Sequence, residues 1–167
     1  MSLDPDLDDV DLEILDLLQR NARIQNAEIA RRVGMAPSAT LERLRKLERR
    51  GVVHDYRTRL DPARLGFDLL AFVFVRTKED TPFCAGEKLA ALPEVQELHH
   101  VAGEDCYLLK LRAASPEALG RLLRERLREV PEVISTRSTI VLDTVKDDPA
   151  LPLRIDATAD EGPKETP

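Results

Sequence analysis

The sequence predicts an α+β chain: three N-terminal helices, then a small sheet of four strands interleaved with two helices. Three observations carry this. Apolar residues recur at helical spacing as far as Gly51, alternating or continuous apolar runs replace them from Leu69 onward, and charge is segregated along the chain. The 167 residues carry a net charge of −6, which conceals that segregation. Residues 1 to 16 hold seven acids and no base, whereas residues 17 to 60 hold eleven Lys or Arg against four acids. Such a basic block is an electrostatic footprint for a polyanion, and a solvated helical face with ordinary ion pairs has the same composition.

Composition excludes several classes. With 43% hydrophobic residues the chain is too apolar to be wholly disordered. No apolar run is long enough to span a bilayer, and the acidic start Met1-Ser2-Leu3-Asp4-Pro5 is unlike a signal peptide. A cytoplasmic protein with no membrane partner is expected. Two cysteines, Cys84 and Cys106, are too few for a disulfide scaffold or a four-cysteine zinc site.

The first helix follows from Val10, Ile14, Leu17 and Leu18, spaced i, i+4, i+7 and i+8, with Asp8 as cap and a left-handed Asn21 as stop. The second fits Asn26 to Val33, with Asn26 as cap, Ile29, Ala30 and Val33 inward, and Gly34 as terminator. The third runs from Pro37 to about Arg50, with Pro37 at the first helical position and Leu41, Leu44 and Leu47 inward beside Thr40. Small Ala30 and the turn Gly34-Met35-Ala36 suit two helices crossing steeply, the requirement of a helix-turn-helix. The third helix then offers hydroxyls near its start and arginines along it, the equipment of a major-groove reader. Ser38, Thr40, Glu42, Arg43 and Lys46 are the expected base readers or positioners, with Arg45, Arg49, Arg57 and Arg59 as phosphate contacts. Val52 to Leu60 is strand-like, with Arg57 and Arg59 on one face, and either a wing on phosphate or a connecting strand fits it. Residues 1–51 thus form a helix-turn-helix DNA-binding domain, and 52–66 a connecting strand and linker.

Leu69 to Thr77 is a continuous apolar run suited to a central strand. Phe83 to Leu92 fits a helix ending before Pro93. Val95 to Val101 alternates, placing Val95, Glu97, His99 and Val101 on one face. Gly103-Glu104-Asp105 turns into a strand from Cys106 to Arg112. Ser115 caps a helix bearing Leu119, Leu122, Leu123 and Leu127, and Val133 to Val145 is the last strand. This βαββαβ order is ferredoxin-like, spans 67–146, and leaves one sheet face for a second copy to cover. The tail 147–167 turns polar and Pro-rich and is expected to be disordered from about 156.

An enzyme is the rival from another class. Cys84, Cys106, His99 and His100 offer a Cys–His pair, yet Glu104 and Asp105 beside Cys106 raise a thiol's pKa, and a packing cysteine is favoured. A metal site from His99, His100, Asp105 and Cys106 lacks ligand spacing, since adjacent strand histidines face opposite sides. No catalytic residue, metal ligand or cofactor is assigned.

The first half carries the motifs Leu18-Gln19-Arg20-Asn21-Ala22-Arg23, Pro37-Ser38, Gly51-Val52-Val53 and Leu60-Asp61-Pro62. The second half carries Pro93-Glu94-Val95, Val101-Ala102-Gly103, Tyr107-Leu108-Leu109, Val130-Pro131-Glu132-Val133 and Thr136-Arg137-Ser138. Taken in order, these motifs resemble the Lrp/AsnC (leucine-responsive, feast/famine) transcription regulators. The resemblance covers about Leu7 to Leu153. It implies a regulator binding double-stranded DNA at pseudo-palindromic sites as a dimer, assembling further to octamers, with an amino acid as effector. An amino-acid-binding interaction protein without specific DNA reading is the alternative. The family's effector loop runs Gly, acid, variable, Asp, aromatic; here it reads Gly103-Glu104-Asp105-Cys106-Tyr107, with Cys106 where Asp is usual. An acid in this loop would meet the effector's ammonium and the backbone near Gly103 its carboxylate. Thr136 and Ser138 either add hydroxyls to that pocket or bond across strands. A second departure is Ala36 where Ser is common, removing a side-chain cap worth about 1 kcal/mol.

Overall fold

The computed structural model describes residues 6–78 and 82–153. Two compact units form, one from Met1–Thr58 with Asp148–Pro167 and one from Arg59–Asp147. The partition falls inside the expected linker 52–66, and the part of the tail that is described groups with the helices. The disorder expected from about residue 156 lies outside the described residues.

The helical unit contains α1 (Asp9–Arg20), α2 (Asn26–Arg32) and α3 (Pro37–Arg49). Asp8 and Asp11 form a reciprocal capping box at the start of α1, because each side chain accepts from the other's backbone N–H. Ile14, Leu18, Ile29 and Leu47 interlock as the core, with Leu15, Ile24 and Leu44 packed around them. Gly34, at φ 67°, makes the turn into α3 in a conformation that a side chain resists.

Three local expectations need correction here. Asn21 ends α1 in extended rather than left-handed conformation, and its side-chain oxygen accepts from Arg23 N–H. Gln25, not Asn26, is the N-cap residue of α2, and no side chain caps it. The Asn26 amide instead donates to the Pro37 carbonyl at 2.8 Å, tying the start of α2 to the start of α3. Residues 52–60 form no strand, because a strand needs a ladder partner and the described residues offer none to this exposed segment.

The second unit is a four-stranded antiparallel sheet in the order β2-β3-β1-β4, from β1 (Leu69–Thr77), β2 (Val95–His100), β3 (Tyr107–Ala113) and β4 (Val133–Ile140). Helices α4 (Pro82–Ala90) and α5 (Pro116–Leu122) complete the βαββαβ order, and α5 runs on as a wider π-type turn over Leu123–Leu127. The ferredoxin-like α+β class is therefore observed. Alternation along β1 sends Ala71, Val73 and Val75 into the core with Leu109, Leu111, Leu89 and Leu119. Phe72 and Phe74 point to the other face, which no described helix covers. A register shift between Val95 and Glu97 moves Val95 onto the core side with Leu98, against the simple alternation expected. The last strand ends at Ile140, not Val145; its ladder to β1 closes at Ala71, and Leu142 and Val145 beyond it are exposed. Gly86 of α4 admits the ring of Tyr107, since a Cβ there would meet the phenol oxygen at 3.0 Å.

Among the described residues no helix is long and apolar enough to cross a membrane.

Candidate nucleic-acid interface and ligand loop

The geometry of α3 sorts its side chains into two faces. Thr40 and Leu47 are fully buried against the helical core, with Leu44 alongside them. Ser38, Glu42, Arg45 and Arg49, at i, i+4, i+7 and i+11, form the opposite stripe and are all exposed, with exposed Lys46 at its border. Arg45 pairs with Glu42 only loosely, at 3.4 Å between two exposed side chains, so the guanidinium exchanges readily to another anion. The stripe presents a hydroxyl, an acid and two guanidinium groups in a row, a set that fits base edges and phosphates.

Two residues of the expected set do not join it. Thr40 is buried, and its hydroxyl donates to the Ala36 carbonyl at 3.2 Å, so it is satisfied inside the helical unit, while the start of α3 has no side-chain cap. Arg43 turns back onto α1: its Nη1 donates to Asp8 at 2.7 Å and to Asp11 at 2.8 Å. Asp11 is only 5% exposed, and a buried carboxylate is tolerable only when paired. The Asp8 carboxyl is held below its usual range, chiefly by the Asp11 N–H, which outweighs the opposing push of burial, with Arg43 adding to the lowering. Arg50 likewise reaches Asp6. The acidic and basic blocks of the sequence thus meet in space at Asp6, Asp8 and Asp11, while on α3 Arg45, Lys46 and Arg49 face outward.

Beyond α3, Arg57 pairs with Asp55 on the exposed segment, and Arg59, in the sheet unit, grips Asp147 at 2.6 Å. On α2, Arg31 and Arg32 both hold Glu28, which lowers its carboxyl to about 2. Tyr56 donates to Glu48 at 2.8 Å, and burial together with that bond pushes its phenol up to about 12.

In the sheet unit, Gly103, Glu104 and Asp105 cross from β2 to β3. The loop is pinned by Val101 N–H to the Cys106 carbonyl and by Cys106 N–H to the Val75 carbonyl, both at 2.9 Å. Gly103 and Glu104 are exposed and Asp105 half-buried. Cys106 packs against the core, its thiol a weak 3.9 Å contact to the Thr77 carbonyl, and Tyr107 is buried over Gly86. Carboxylate reach from the loop therefore belongs to Asp105, whose partner is Arg137 at 3.0 Å. Arg137 lies over the Phe74 ring, 4.2 Å from its centroid. Sequence reasoning did not single out Arg137; its place opposite Phe74 comes from the β1·β4 register. Thr136 stands opposite Val75, in a row with Tyr107, and Ser138 opposite Val73, so both side chains leave the sheet on the side away from Arg137. The structure thus does not bring Thr136 and Ser138 to the Asp105 carboxylate.

The other chemistry-bearing residues are dispersed. His99 contacts Glu97 at 3.4 Å, while His100 tilts against the Tyr107 ring at 5.3 Å. Cys84's side chain lies outside what is described. Among the described residues no three of His, Cys, Asp and Glu cluster as metal ligands.

Comparison with known proteins gives a consistent result. The Lrp/AsnC ligand binding domain matches residues 70–151, and a winged helix-turn-helix DNA-binding domain matches residues 7–54. The leucine-responsive regulatory protein of Salmonella typhimurium is 41% identical over 144 residues, 84% of this chain and 88% of that protein. Its Escherichia coli K12 counterpart is 40% identical over the same share of each. A Neisseria meningitidis transcriptional regulator solved with L-methionine superposes with a TM-score of 0.82 at 33% identity, over 88% of this chain and 97% of that one. A Mycobacterium tuberculosis feast or famine regulatory protein, also in complex with L-methionine, superposes with a TM-score of 0.82 at 39% identity, over 87% and 98%.

Proposed function

The chain belongs to the Lrp/AsnC family of transcription regulators, and from that premise we propose a division of labour between its two units. It is a DNA-binding regulator that responds to an effector. The finer reading assigns the DNA contact to the outward stripe of α3. Ser38, Glu42 and Arg45 enter the major groove, with Lys46, Arg49 and Arg57 on flanking phosphates. Arg43 is reassigned to holding α3 on α1. The single observation that carries this is the sorting of α3: its buried face is closed by Thr40 and Leu47, and its opposite face carries the exposed basic and polar side chains.

The effector in this reading is an amino acid, the class of ligand in the two relatives solved with L-methionine, and the loop Gly103 to Tyr107 is its proposed site. The roles expected of Thr136 and Ser138 narrow to packing and bonding along the sheet edge. The protein works as a homo-oligomer, a dimer that assembles further, in which a second copy covers Phe72 and Phe74 on the open sheet face. It acts in the cytoplasm without catalysis, cofactor or metal.

Binding of the full chain to a selected duplex and to a scrambled duplex, across a salt series, tests the DNA reading. A selected site should be bound about a thousandfold or more tighter than random sequence. Equal affinity for both would move the chain to the alternative, an amino-acid-binding interaction protein without specific DNA reading.

A further inference from the structure

α3 contains two acids, and they are placed differently. Glu48 accepts from the Tyr56 hydroxyl at 2.8 Å, whereas Glu42 stands on the outward stripe with Ser38, Arg45 and Arg49, its side chain 69% exposed. On a face that approaches a polyanion, a carboxylate is repelled by the phosphates around it. Its pair with Arg45 does not account for it, since an exposed ion pair at i, i+3 adds little to a helix. A hydrogen-bond donor on the ligand does account for it. The 3.4 Å contact runs from Arg45 Nη1 to Glu42 Oε1 and sets a donor group beside an acceptor group. The second carboxylate oxygen and the other guanidinium N–H groups stay available to a ligand.

The geometry points to the Glu42–Arg45 pair as the reader of a single G·C base pair. In the major groove guanine presents two acceptors, N7 and O6, and the cytosine beside it presents one donor, N4. Donors from Arg45 next to an acceptor from Glu42 are the complement of that edge. Arg45 donates to guanine O6 and N7, and Glu42 accepts from cytosine N4. An A·T pair presents its adenine donor between two acceptors, which sets the carboxylate against thymine O4. Glu42 then selects by rejection as much as by attraction, because its charge is offset only where the N4 donor is present. The inference rests on the DNA reading above and names the base pair that two of its residues select.

Anisotropy titration of the full chain tests this with a duplex selected from a random pool, copies with each base pair replaced in turn, and a scrambled duplex. Wild type should lose about tenfold when one G·C pair of each half-site becomes A·T, the discrimination of one good bidentate contact. Glu42→Ala and Arg45→Ala should each lose that discrimination at the same base pair. They should part on the scrambled duplex. Glu42→Ala should bind it severalfold tighter, having shed a repelled charge, and Arg45→Ala more weakly. Glu42→Gln sheds the charge and keeps an acceptor, so it should gain the same affinity for scrambled DNA and retain part of the preference. If Glu42→Ala tightens selected and scrambled duplexes equally and leaves the base-pair profile unchanged, the inference is overturned while the DNA reading stands. Loss of preference at two different base pairs in the two alanine variants overturns it as well. If wild type binds selected and scrambled duplexes equally, the DNA reading itself fails and this inference with it.

Discussion

The two units use ion pairs for opposite purposes. In the helical unit, Arg43 bridges from α3 to Asp8 and to buried Asp11 on α1, so a charge that looks functional from sequence is structural. In the sheet unit the buried side chains around β1 and β3 are apolar apart from Thr77 and the phenol of Tyr107, and the pair Asp105–Arg137 sits on the face that the described helices leave open. There Arg137, which the sequence did not mark as a site residue, meets an acid of the loop between β2 and β3. Burial separates the two cases. Asp11 is enclosed and would be stranded without Arg43, whereas Arg137 and Asp105 keep 65% and 24% of their side chains exposed in the single chain.

The most disruptive test of this contrast removes apolar packing from the helical unit. Leu47→Ala empties a fully buried site between α1, α2 and α3 and should destabilise that unit by about 2–5 kcal/mol. Thermal unfolding followed by helix and sheet signals should show the helical transition fall alone, because the core of the sheet unit shares no residue with this one. Arg43→Ala ranks next. It leaves buried Asp11 without its guanidinium and should cost about 1–3 kcal/mol of stability. A base-reading arginine would behave oppositely, leaving stability unchanged and relaxing sequence preference. Arg49→Ala is milder: stability is untouched and the salt dependence of DNA binding falls by about one charge, as for a phosphate contact. Read by anisotropy at several salt concentrations, loss of preference at one base pair instead would promote Arg49 to a reader.

The helices and the βαββαβ order were legible because burial writes its period directly into the sequence. Val10, Ile14 and Leu18, or Ala71, Val73 and Val75, can be assigned with no knowledge of what they touch. The outward stripe of α3 was legible for the same reason, in the inverse. Partnership across the chain was not. The helical period sets Arg43 beside the Thr40–Leu47 face and Arg45 opposite it, but no local pattern names Arg43's partner, the capping box 32 to 35 residues earlier. The failed strand over 52–60 belongs here too, because alternation shows what a segment is able to do and the ladder partner decides whether it does. Thr40 was misplaced because a hydroxyl near a helix start reads as a cap or a contact, and only packing reveals it enclosed. Arg137 needed the β1·β4 register, which no short-range pattern specifies.

The smallest effect is a pair of pH limits on the helical unit, and its sign follows from which protonation state the fold prefers. Asp8 and Glu28 are held below their ordinary carboxylate values, Glu28 at about 2 against 4.5, so the folded unit binds their protons less tightly than the unfolded chain. Their contribution is complete above the unfolded values and is lost as pH falls through that window, from about 4.5 to about 2 for Glu28. Tyr56 works in the other direction. Its phenol is raised from 10.0 to about 12, so the folded unit binds that proton more tightly, and its contribution is lost as pH climbs between the two values. Both groups at the edges are solvent-screened, and modest slopes are expected. Tyr56→Phe should remove the alkaline slope and leave the acid limb untouched, while Glu28→Gln should flatten the acid limb alone. Urea unfolding at stepped pH measures both. If Tyr56→Phe keeps the alkaline slope, the bond to Glu48 is not what holds residues 52–58 to the end of α3, and the segment is anchored by Val52 and Val53 on the helical core instead.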